Sequence, residues 1–239
     1  MVNDGLLWLE SCSSTNDEAA ARLDDPQLVA VASDTQTQGR GRLGRDWFSP
    51  PGCGLYLSWI ARPNFAQAMG GAIPMLAAAA TAEVVSTLGI KPTLKWPNDV
   101  LVGQKKLSGI LCEAQGTPPA WTAIVGIGLN LRTPPDGWPD DVPAIALDAV
   151  IETVPSPQVL AAQIMKRLSL WLGRVEREGL QAVLEVWATY APPMGTPMAQ
   201  GDTRGRFAGL DPDGSLRLQT PEGIVTIHAG DVELVHEEN

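Results

Sequence analysis

The residues best suited to chemistry lie in one short run, Gln36 to Asp46, which places three arginines and three glycines between positions 39 and 45. The arginine guanidinium offers forked donors that match carboxylate and phosphate oxygens. Glycine permits unusual backbone dihedrals or lets a ligand lie directly against the main chain. The flanking segments 28–33 and 53–60 read as strands, so the run is a loop anchored in a sheet. It therefore predicts an anion site, although a solvated surface loop could share this composition.

A second candidate group is Lys95-Trp-Pro-Asn-Asp99, followed by the segment from Lys105 to Ile110. The residue before a proline is held extended, and Asn-Asp is typical of a turn that presents polar side chains. On these residues alone, a hairpin with surface lysines is the simpler interpretation.

The third group is the segment from Ile124 to Asn130, in which Gly126 and Gly128 occupy alternate positions of a predicted strand. Alternate positions share one face of a strand, and glycine weakens a strand unless a ligand or another backbone comes close. No helix pattern follows, so the segment is not a dinucleotide-binding fingerprint. The pair therefore predicts a close approach of some ligand.

Composition narrows the classes of function. The chain of 239 residues is 44% hydrophobic, which suffices for one large domain and a small one. Its net charge is -10, from 17 basic and 27 acidic residues, which argues against nucleic acid or an anionic membrane as the main partner. The N-terminus lacks signal-peptide features, and the apolar stretch 73–85 is too short to span a bilayer. We therefore expect a soluble, cytoplasmic protein.

Cysteine and histidine usage narrows the chemistry further. The three cysteines are an odd number without metal-ligand spacing, which disfavours a disulfide framework or a structural zinc site. The two histidines, His228 and His236, lie near the C-terminus. Mechanisms that need a Ser-His pair, a Cys-His pair or a His-bound metal are therefore disfavoured. An enzyme of this composition would work by positioning and charge stabilisation.

The elements that must position these groups follow from periodicity and turn signals. Helices are predicted near 17–23, 67–88, 157–178 and 180–190, and strands near 6–9, 28–33, 53–60, 93–96, 100–102, 107–114 and 121–131. Thr15 and Glu18 have capping-box spacing at the first helix. After Pro192-Pro193 the pattern changes to short strands with tight turns. We therefore predict two domains, 1–191 and 192–239.

In chain order, Ser13-Ser-Thr-Asn16, the Gly/Arg loop, Lys95-Trp-Pro-Asn-Asp99, Lys106-Leu-Ser-Gly109 and Gly126-Ile-Gly-Leu-Asn130 closely resemble the motifs of the biotin protein ligase family. The resemblance implies an α+β fold: a mixed central β-sheet flanked by helices, like the class II aminoacyl-tRNA synthetases, with a C-terminal SH3-like barrel. Many family members carry an N-terminal DNA-binding domain. Here the catalytic pattern begins near Leu6, so we expect a monofunctional ligase that does not bind DNA.

The resemblance also implies an activity. The family couples biotin to ATP as biotinyl-5'-AMP, releases pyrophosphate, and transfers biotin to a lysine of a biotin carboxyl carrier protein. Mg²⁺ is expected on the phosphates, its protein ligands being unknown, and a homodimer is plausible. A lipoate or octanoate ligase or transferase on the related fold is the main alternative, and a non-catalytic scaffold is a second. The Gly/Arg loop together with Lys95-Trp-Pro-Asn-Asp99 favours biotin.

Residue roles are carried over from the family by position. Lys106, Arg40 and Asp99 are the predicted catalytic residues. The predicted contacts to biotin or its adenylate are Ser14, Thr15, Asn16, Gln36, Arg40, Gly41, Arg42, Lys106, Gly109, Gly126, Gly128 and Asn130. Trp47 and Trp138 are candidates for packing on ligand, but tryptophan is more often core, so we leave them outside the predicted site. We expect the Gly/Arg loop to become ordered when the adenylate binds.

Overall fold

The computed structural model describes residues 2–3, 5–64, 71–117, 120–139 and 143–235. Its main feature is an eight-stranded sheet in the order β1-β2-β3-β4-β8-β7-β6-β5. The strands are β1 Val2–Asn3, β2 Leu6–Leu9, β3 Ala30–Ser33, β4 Gly54–Ala61, β5 Pro92–Lys95, β6 Asp99–Val102, β7 Lys105–Thr117 and β8 Ala120–Asn130. Strands β2 and β3 pair in parallel, and every other neighbouring pair is antiparallel. The sheet is therefore mixed, as predicted.

Helices cover the sheet unequally. One face carries α2 (Ala72–Ser86), α3 (Pro157–Glu178) and α4 (Gln181–Thr189), which share one large core with the sheet. The alanine run of α2 is buried nearly throughout, because small side chains allow close packing between the sheet and α3. On the opposite face, the single short helix α1 (Thr15–Ala20) packs over Ile60 and Ile124. The rest of that face is left open.

The alternation of β4 and β8 explains what fills this open face. Going along β8, the residues on the α1 side are Ile124, then Gly126, then Gly128. The matching residues of β4 are Ile60, Ser58 and Tyr56. On β8 this face therefore changes from an apolar patch beneath α1 to two glycines without side chains, and a cavity lies above them.

The C-terminal part forms a five-stranded antiparallel sheet in the order β12-β11-β10-β9-β13. Its strands are β9 Pro197–Gln200, β10 Thr203–Leu210, β11 Leu216–Thr220, β12 Gly223–Ile227 and β13 Glu233–Leu234. Trp187 and Phe207 pack with ring centroids 6.3 Å apart, and Trp96 Nε1 donates to Gly214 O at 3.0 Å. The apolar side chains of this unit thus join the main core.

The α+β class and the C-terminal all-β unit are confirmed, whereas the details at two helices differ from the prediction. The capping box at α1 is wrong: Ser14 is the N-cap residue, and no side chain caps the helix. Thr15 instead donates to Gln36, because this end of the helix faces the cavity. Helix α2 begins at Ala72, and the predicted start at 67 lies outside the described residues. The exact division at 191/192 stays a prediction.

Candidate active site

The floor of the cavity is the glycine-bearing stretch of β8. A Cβ added to Gly126 would come within 2.5 Å of Asn16 Oδ1, and one added to Gly128 would overlap the Trp47 indole. Gly109 lies opposite Gly128 on β7, where a Cβ would meet Lys106 Cε at 2.7 Å. No larger residue fits these positions without displacing a neighbour. The glycines therefore allow the side chains of Asn16, Trp47 and Lys106 to come close to the strands, and the contact with a ligand stays a prediction.

One end of the cavity is a buried cluster of neutral polar groups around the start of α1. Ser58 Oγ lies 2.8 Å from Thr15 Oγ1 and 2.6 Å from Asn16 Oδ1. Gln36 Oε1 accepts from the backbone N–H of Thr15 at 2.8 Å, and Asn16 Nδ2 donates to Glu113 Oε2 at 2.5 Å. Mutual hydrogen bonds fix these side chains in place, so this end presents oriented donors and acceptors.

The other end is cationic and centres on Asp99, which is 5% exposed. Lys106 Nζ lies 2.7 Å from Asp99 Oδ1, and Lys95 Nζ lies 2.9 Å from Oδ2. Burial alone raises the pKa of the Asp99 carboxyl, but Lys106 and Lys95 outweigh it, so the net pKa lies below its ordinary value. Asp99 is thus an ionised carboxylate between two ammonium groups, which holds Lys106 at the cavity wall.

The Gly/Arg loop crosses above the floor, and its arginines are already engaged. Arg40 makes a bidentate pair with Asp17, with both distances 2.7 Å, and lies 3.5 Å from Glu113. The hydrogen bond from Arg40 lowers the pKa of Asp17. Arg42 donates to Asn98 Oδ1 at 3.0 Å and pairs with Asp231 at 2.8 Å. Arg45 lies 3.4 Å from Asp231 and is largely exposed.

Trp47, which the sequence left outside the predicted site, lies over the floor. Its indole fills the space above Gly128 and Gly109, and Lys106 Nζ is 5.3 Å from the ring centroid. The ring therefore closes one side of the cavity and makes a cation–π contact with the predicted catalytic lysine. Trp138 also lines the cavity, in edge contact with Phe48 at 6.4 Å.

Together these groups enclose a cavity of about 1230 Å³, to which every predicted site residue contributes. The contributors from the prediction are Ser14, Thr15, Asn16, Gln36, Arg40, Gly41, Arg42, Asp99, Lys106, Gly109, Gly126, Gly128 and Asn130. Asn130 is largely occupied by the backbone, because its Nδ2 donates to Lys106 O at 3.2 Å and to Ile145 O at 3.0 Å. Its visible role is to hold the lysine-bearing strand β7 against the segment that contains Ile145.

Several residues join the site without having been predicted. Ser58 could have been found, since it is a serine inside the apolar strand Leu55 to Ile60. Lys95 belongs to a motif that was recognised but assigned only in part. Glu113 and Asp231 carry no local signal, because their roles depend on partners far away in the chain.

Histidine and metal chemistry find little support among the described residues. His228 Nδ1 lies 2.8 Å from Ser215 Oγ and 3.7 Å from Asp213 Oδ2, so both partners face the same ring nitrogen. A nucleophile–histidine–carboxylate triad needs the two partners on different nitrogens. His236 lies outside the described residues. In the described ranges, no group of three or more His, Cys, Asp or Glu residues could hold a metal ion.

Comparison with known proteins agrees with this geometry. Residues 8–130 match the biotin/lipoate A/B protein ligase family, and residues 197–235 match the biotin protein ligase C-terminal domain. The chain is 32% identical to the bifunctional ligase/repressor BirA of Bacillus subtilis over 98% of this chain and 75% of the relative. It is 29% identical to a biotin--[acetyl-CoA-carboxylase] ligase of Paracoccus denitrificans, over 84% and 88% of the two chains.

Among solved structures, the chain is similar to a biotin protein ligase from Aquifex aeolicus in complex with biotin and ATP. The two share 27% identity with a TM-score of 0.84, over 98% of this chain and 100% of that one. Within the described part of this chain, no helix has both the length and the apolar character needed to cross a membrane.

Proposed function

The chain belongs to the biotin/lipoate A/B protein ligase family, and we infer that it is a biotin protein ligase. It activates biotin with ATP to biotinyl-5'-AMP and pyrophosphate, and then passes the biotinyl group to a lysine of a biotin carboxyl carrier protein. One observation carries this reading best: a single cavity has a neutral hydrogen-bonding end and a cationic end. Biotin has the same two ends, a ureido ring and a carboxylate.

We propose that the neutral end binds the ring system of biotin. Thr15, Asn16 and Gln36 are fixed by mutual hydrogen bonds, so they can exchange partners with a ureido group without losing their orientation. Ser14, which lies beside them and is buried, completes this set. Gly126 lets the bicycle approach the backbone of β8. Gly128 and Gly109, on the neighbouring strand, leave room for the Trp47 indole, which packs beside the bicycle as a wall of the cavity.

We propose that the cationic end carries the first step. A carboxylate oxygen of biotin attacks the α-phosphorus of ATP, the bond to pyrophosphate breaks, and negative charge builds on the phosphoryl oxygens. Lys106 lies where it can face both anions, while Arg40 and Arg42, with Gly41 between them, line the phosphate side. A single preorganised donor of this kind contributes about 3 to 4 kcal/mol. Arg40 must exchange Asp17 for phosphate to take part, which its exposed position allows.

In the second step the acceptor lysine nitrogen attacks the biotinyl carbonyl carbon, AMP leaves, and the amine loses its proton. Asp99, one of the predicted catalytic residues, is a candidate base for this proton. Its lowered pKa makes it a weak base, so we propose that its main role is to orient Lys106 between the carboxylate and the phosphate. AMP, which leaves with a free phosphate oxygen, can accept the proton itself.

Magnesium, predicted on the phosphates, would neutralise their charge when bound. In the described part of the chain no three metal-ligating side chains cluster together, and of the cavity carboxylates Asp99 is held by two lysines and Asp231 by two arginines. We therefore propose that Mg²⁺ arrives on ATP rather than on a protein site. A homodimer, the absence of DNA binding and a cytoplasmic location remain predictions.

Biotin-dependent exchange of labelled pyrophosphate into ATP tests the activity. We expect exchange with biotin and little with lipoate or octanoate, the substrates of the alternative reading. Exchange with lipoate but not with biotin would overturn the proposal, and no exchange with any of the three acids would favour a scaffold. Transfer is measured separately with a purified carrier domain, whose lysine-to-arginine variant is the control.

A further inference from the structure

The loop that bears the arginines has no apolar anchor at its tip. The single turn Arg42–Gly44 contains no buried residue, and Leu43 is 71% exposed. Leu43 also has a left-handed backbone, with φ of 57°, which is unfavourable for a branched side chain. Burial cannot hold this conformation, so it must be held by polar contacts.

Some of those contacts are internal to the loop, where the N–H of Gly41 donates to Arg45 O at 2.7 Å and the N–H of Trp47 donates to Gly39 O at 2.9 Å. The contacts that tie the loop to the rest of the molecule come largely from the C-terminal unit. Asp231 Oδ1 pairs with Arg42 at 2.8 Å, Asp231 Oδ2 lies 3.4 Å from Arg45, and the carbonyl of Gly230 accepts from Arg42 Nη2 at 3.3 Å. Arg42 thus has one partner in the β5–β6 turn, Asn98, and two in the segment between β12 and β13. The side chains of Arg42 and Asp231 are 27% and 21% exposed, so the pair is partly shielded from solvent.

Asp231 itself is well fixed. The next residue, Val232, is fully buried, and Gln200 Nε2 donates to the carbonyl of Ala229 at 2.6 Å. Asp231 also lines the same cavity as Lys106. A well-fixed carboxylate from one unit therefore holds the exposed tip of a loop of the other unit over the site.

We propose that Asp231 is a positioning residue for biotin activation: it holds Arg42 and the Gly/Arg loop over the cavity, which makes the C-terminal unit part of the activation site. This inference rests on the proposed function. Loss of the Asp231 carboxylate should release the loop, raise the KM for ATP and speed the release of biotinyl-5'-AMP. Binding of free biotin should change little, because the neutral end and the floor do not involve Asp231.

The first test is hydrogen–deuterium exchange of residues 39–46 without any ligand, so its result does not depend on the identity of the substrate. In Asp231→Asn we expect exchange about tenfold faster than in wild type, the factor typical of losing a hydrogen bond to a charged group. Asp231→Glu, which keeps the charge, should lie between the two. Unchanged exchange in Asp231→Asn would overturn the proposal.

Asp211→Asn is the matched control. Asp211 lies in the same unit, is paired with Arg217 at 3.5 Å, and is 30% exposed on its side chain, but it is not among the residues lining the cavity. We expect normal exchange of the loop in this variant. Equal acceleration in both variants would show general loosening of the C-terminal sheet, and that result would also overturn the proposal.

The second test separates positioning from binding in the reaction itself. For Asp231→Asn we expect a raised KM for ATP and faster release of biotinyl-5'-AMP, with the Kd of free biotin within about twofold of wild type. If the Kd of free biotin rises by as large a factor as the KM for ATP, Asp231 acts on the whole site and not through the loop. If the wild-type protein shows no biotin-dependent exchange of pyrophosphate into ATP, the proposed function fails. The hydrogen–deuterium exchange of the loop is still interpretable in that case, because it is measured without ligand.

Discussion

The floor of the cavity and the loop above it are built in opposite ways. The floor is the backbone of β8, held on both sides by continuous pairing with β4 and β7. The loop from Gly39 to Trp47 has little regular structure, and its tip is exposed. Geometry at the floor is therefore set by strand register before any ligand arrives. Geometry in the loop depends on ion pairs that a ligand can replace.

The ion pairs of the two regions also differ, in how far they are exposed to solvent. At the cationic end, which adjoins the floor, Asp99 is buried between Lys95 and Lys106, so its pairs are shielded from solvent. In the loop, the pair of Arg40 and Asp17 has side chains that are 38% and 49% exposed. Exposed pairs contribute about 0 to 1 kcal/mol, whereas breaking a buried pair costs several times more. Substitutions at the floor should therefore have larger effects than those in the loop.

Lys106→Ala should have the largest effect. It removes the ammonium that we place between the carboxylate and the α-phosphate, so biotinyl-5'-AMP formation should slow about 100- to 1,000-fold. Affinity for free biotin should fall far less than the rate of adenylate formation, because the ring contacts lie at the other end of the cavity. Single-turnover formation of the adenylate and calorimetric titration with biotin measure the two quantities.

Lys91→Ala is the control for this substitution, since Lys91 is exposed and is not among the cavity-lining residues. It should leave both quantities unchanged. Removal of Lys106 also deprives Asp99 of one of its two partners, so thermal unfolding of each variant must accompany the kinetics. Equal losses in adenylate formation and in biotin binding would contradict the placement of Lys106 at the reacting groups.

Gly126→Ala should have the next largest effect. The added Cβ would come within 2.5 Å of Asn16 Oδ1 and displace a side chain of the neutral cluster. Overpacking of this kind costs about 1 to 3 kcal/mol, which corresponds to a loss of biotin affinity of about 5- to 150-fold. Titration with biotin measures it directly.

Gly173→Ala is the matched control, because Gly173 lies within α3 and its added Cβ would meet the movable end of Arg177 at 3.3 Å. Alanine is a better helix former than glycine, so this variant should be unchanged or slightly more stable. If Gly126→Ala bound biotin as well as wild type, the ligand would not lie against this part of the floor.

The contrast between the floor and the loop also explains which parts of the site could be predicted from the sequence. The cavity-lining positions of the floor glycines and of Lys106 could be predicted because their signals are local: alternate glycines in a strand, and a lysine close to a recognised turn motif. The partners of the loop were not foreseen. Asp231 lies far from Arg42 in the chain, and nothing in the residues around it distinguishes it from Asp211 or Asp213. Contacts between units depend on how the core brings the two sheets together.

The region around α1 shows a second limit. Ser14 to Asn16 satisfied two patterns, a helix cap and a set of ligand contacts, and sequence spacing alone could not choose between them. In the structure no side chain makes a capping hydrogen bond at the start of α1. Thr15 and Asn16 instead form hydrogen bonds with Gln36, Ser58 and Glu113. The choice was made by residues of other strands.

Asp17→Asn should have the smallest effect. It tests directly whether Arg40 of the loop can exchange its carboxylate partner for a phosphate. The hydrogen bond from Arg40 lowers the pKa of Asp17 below its ordinary value of 3.8. A lowered pKa means that the pair stabilises the folded state above about pH 4 and that this contribution is lost as the pH falls further. Because the pair is half exposed, the stability difference from wild type at pH 7 should be under about 1 kcal/mol.

Urea unfolding at pH 7 and pH 3 measures this difference, which should shrink towards zero at the lower pH. Adenylate formation should be unchanged or slightly faster in Asp17→Asn, because Arg40 no longer has to leave a carboxylate to reach the phosphate. A loss as large as that of Lys106→Ala would instead place Asp17 in the reaction. The ion pair of Arg40 and Asp17 would then have to stay intact when the ligand binds, as the strand pairing of the floor does.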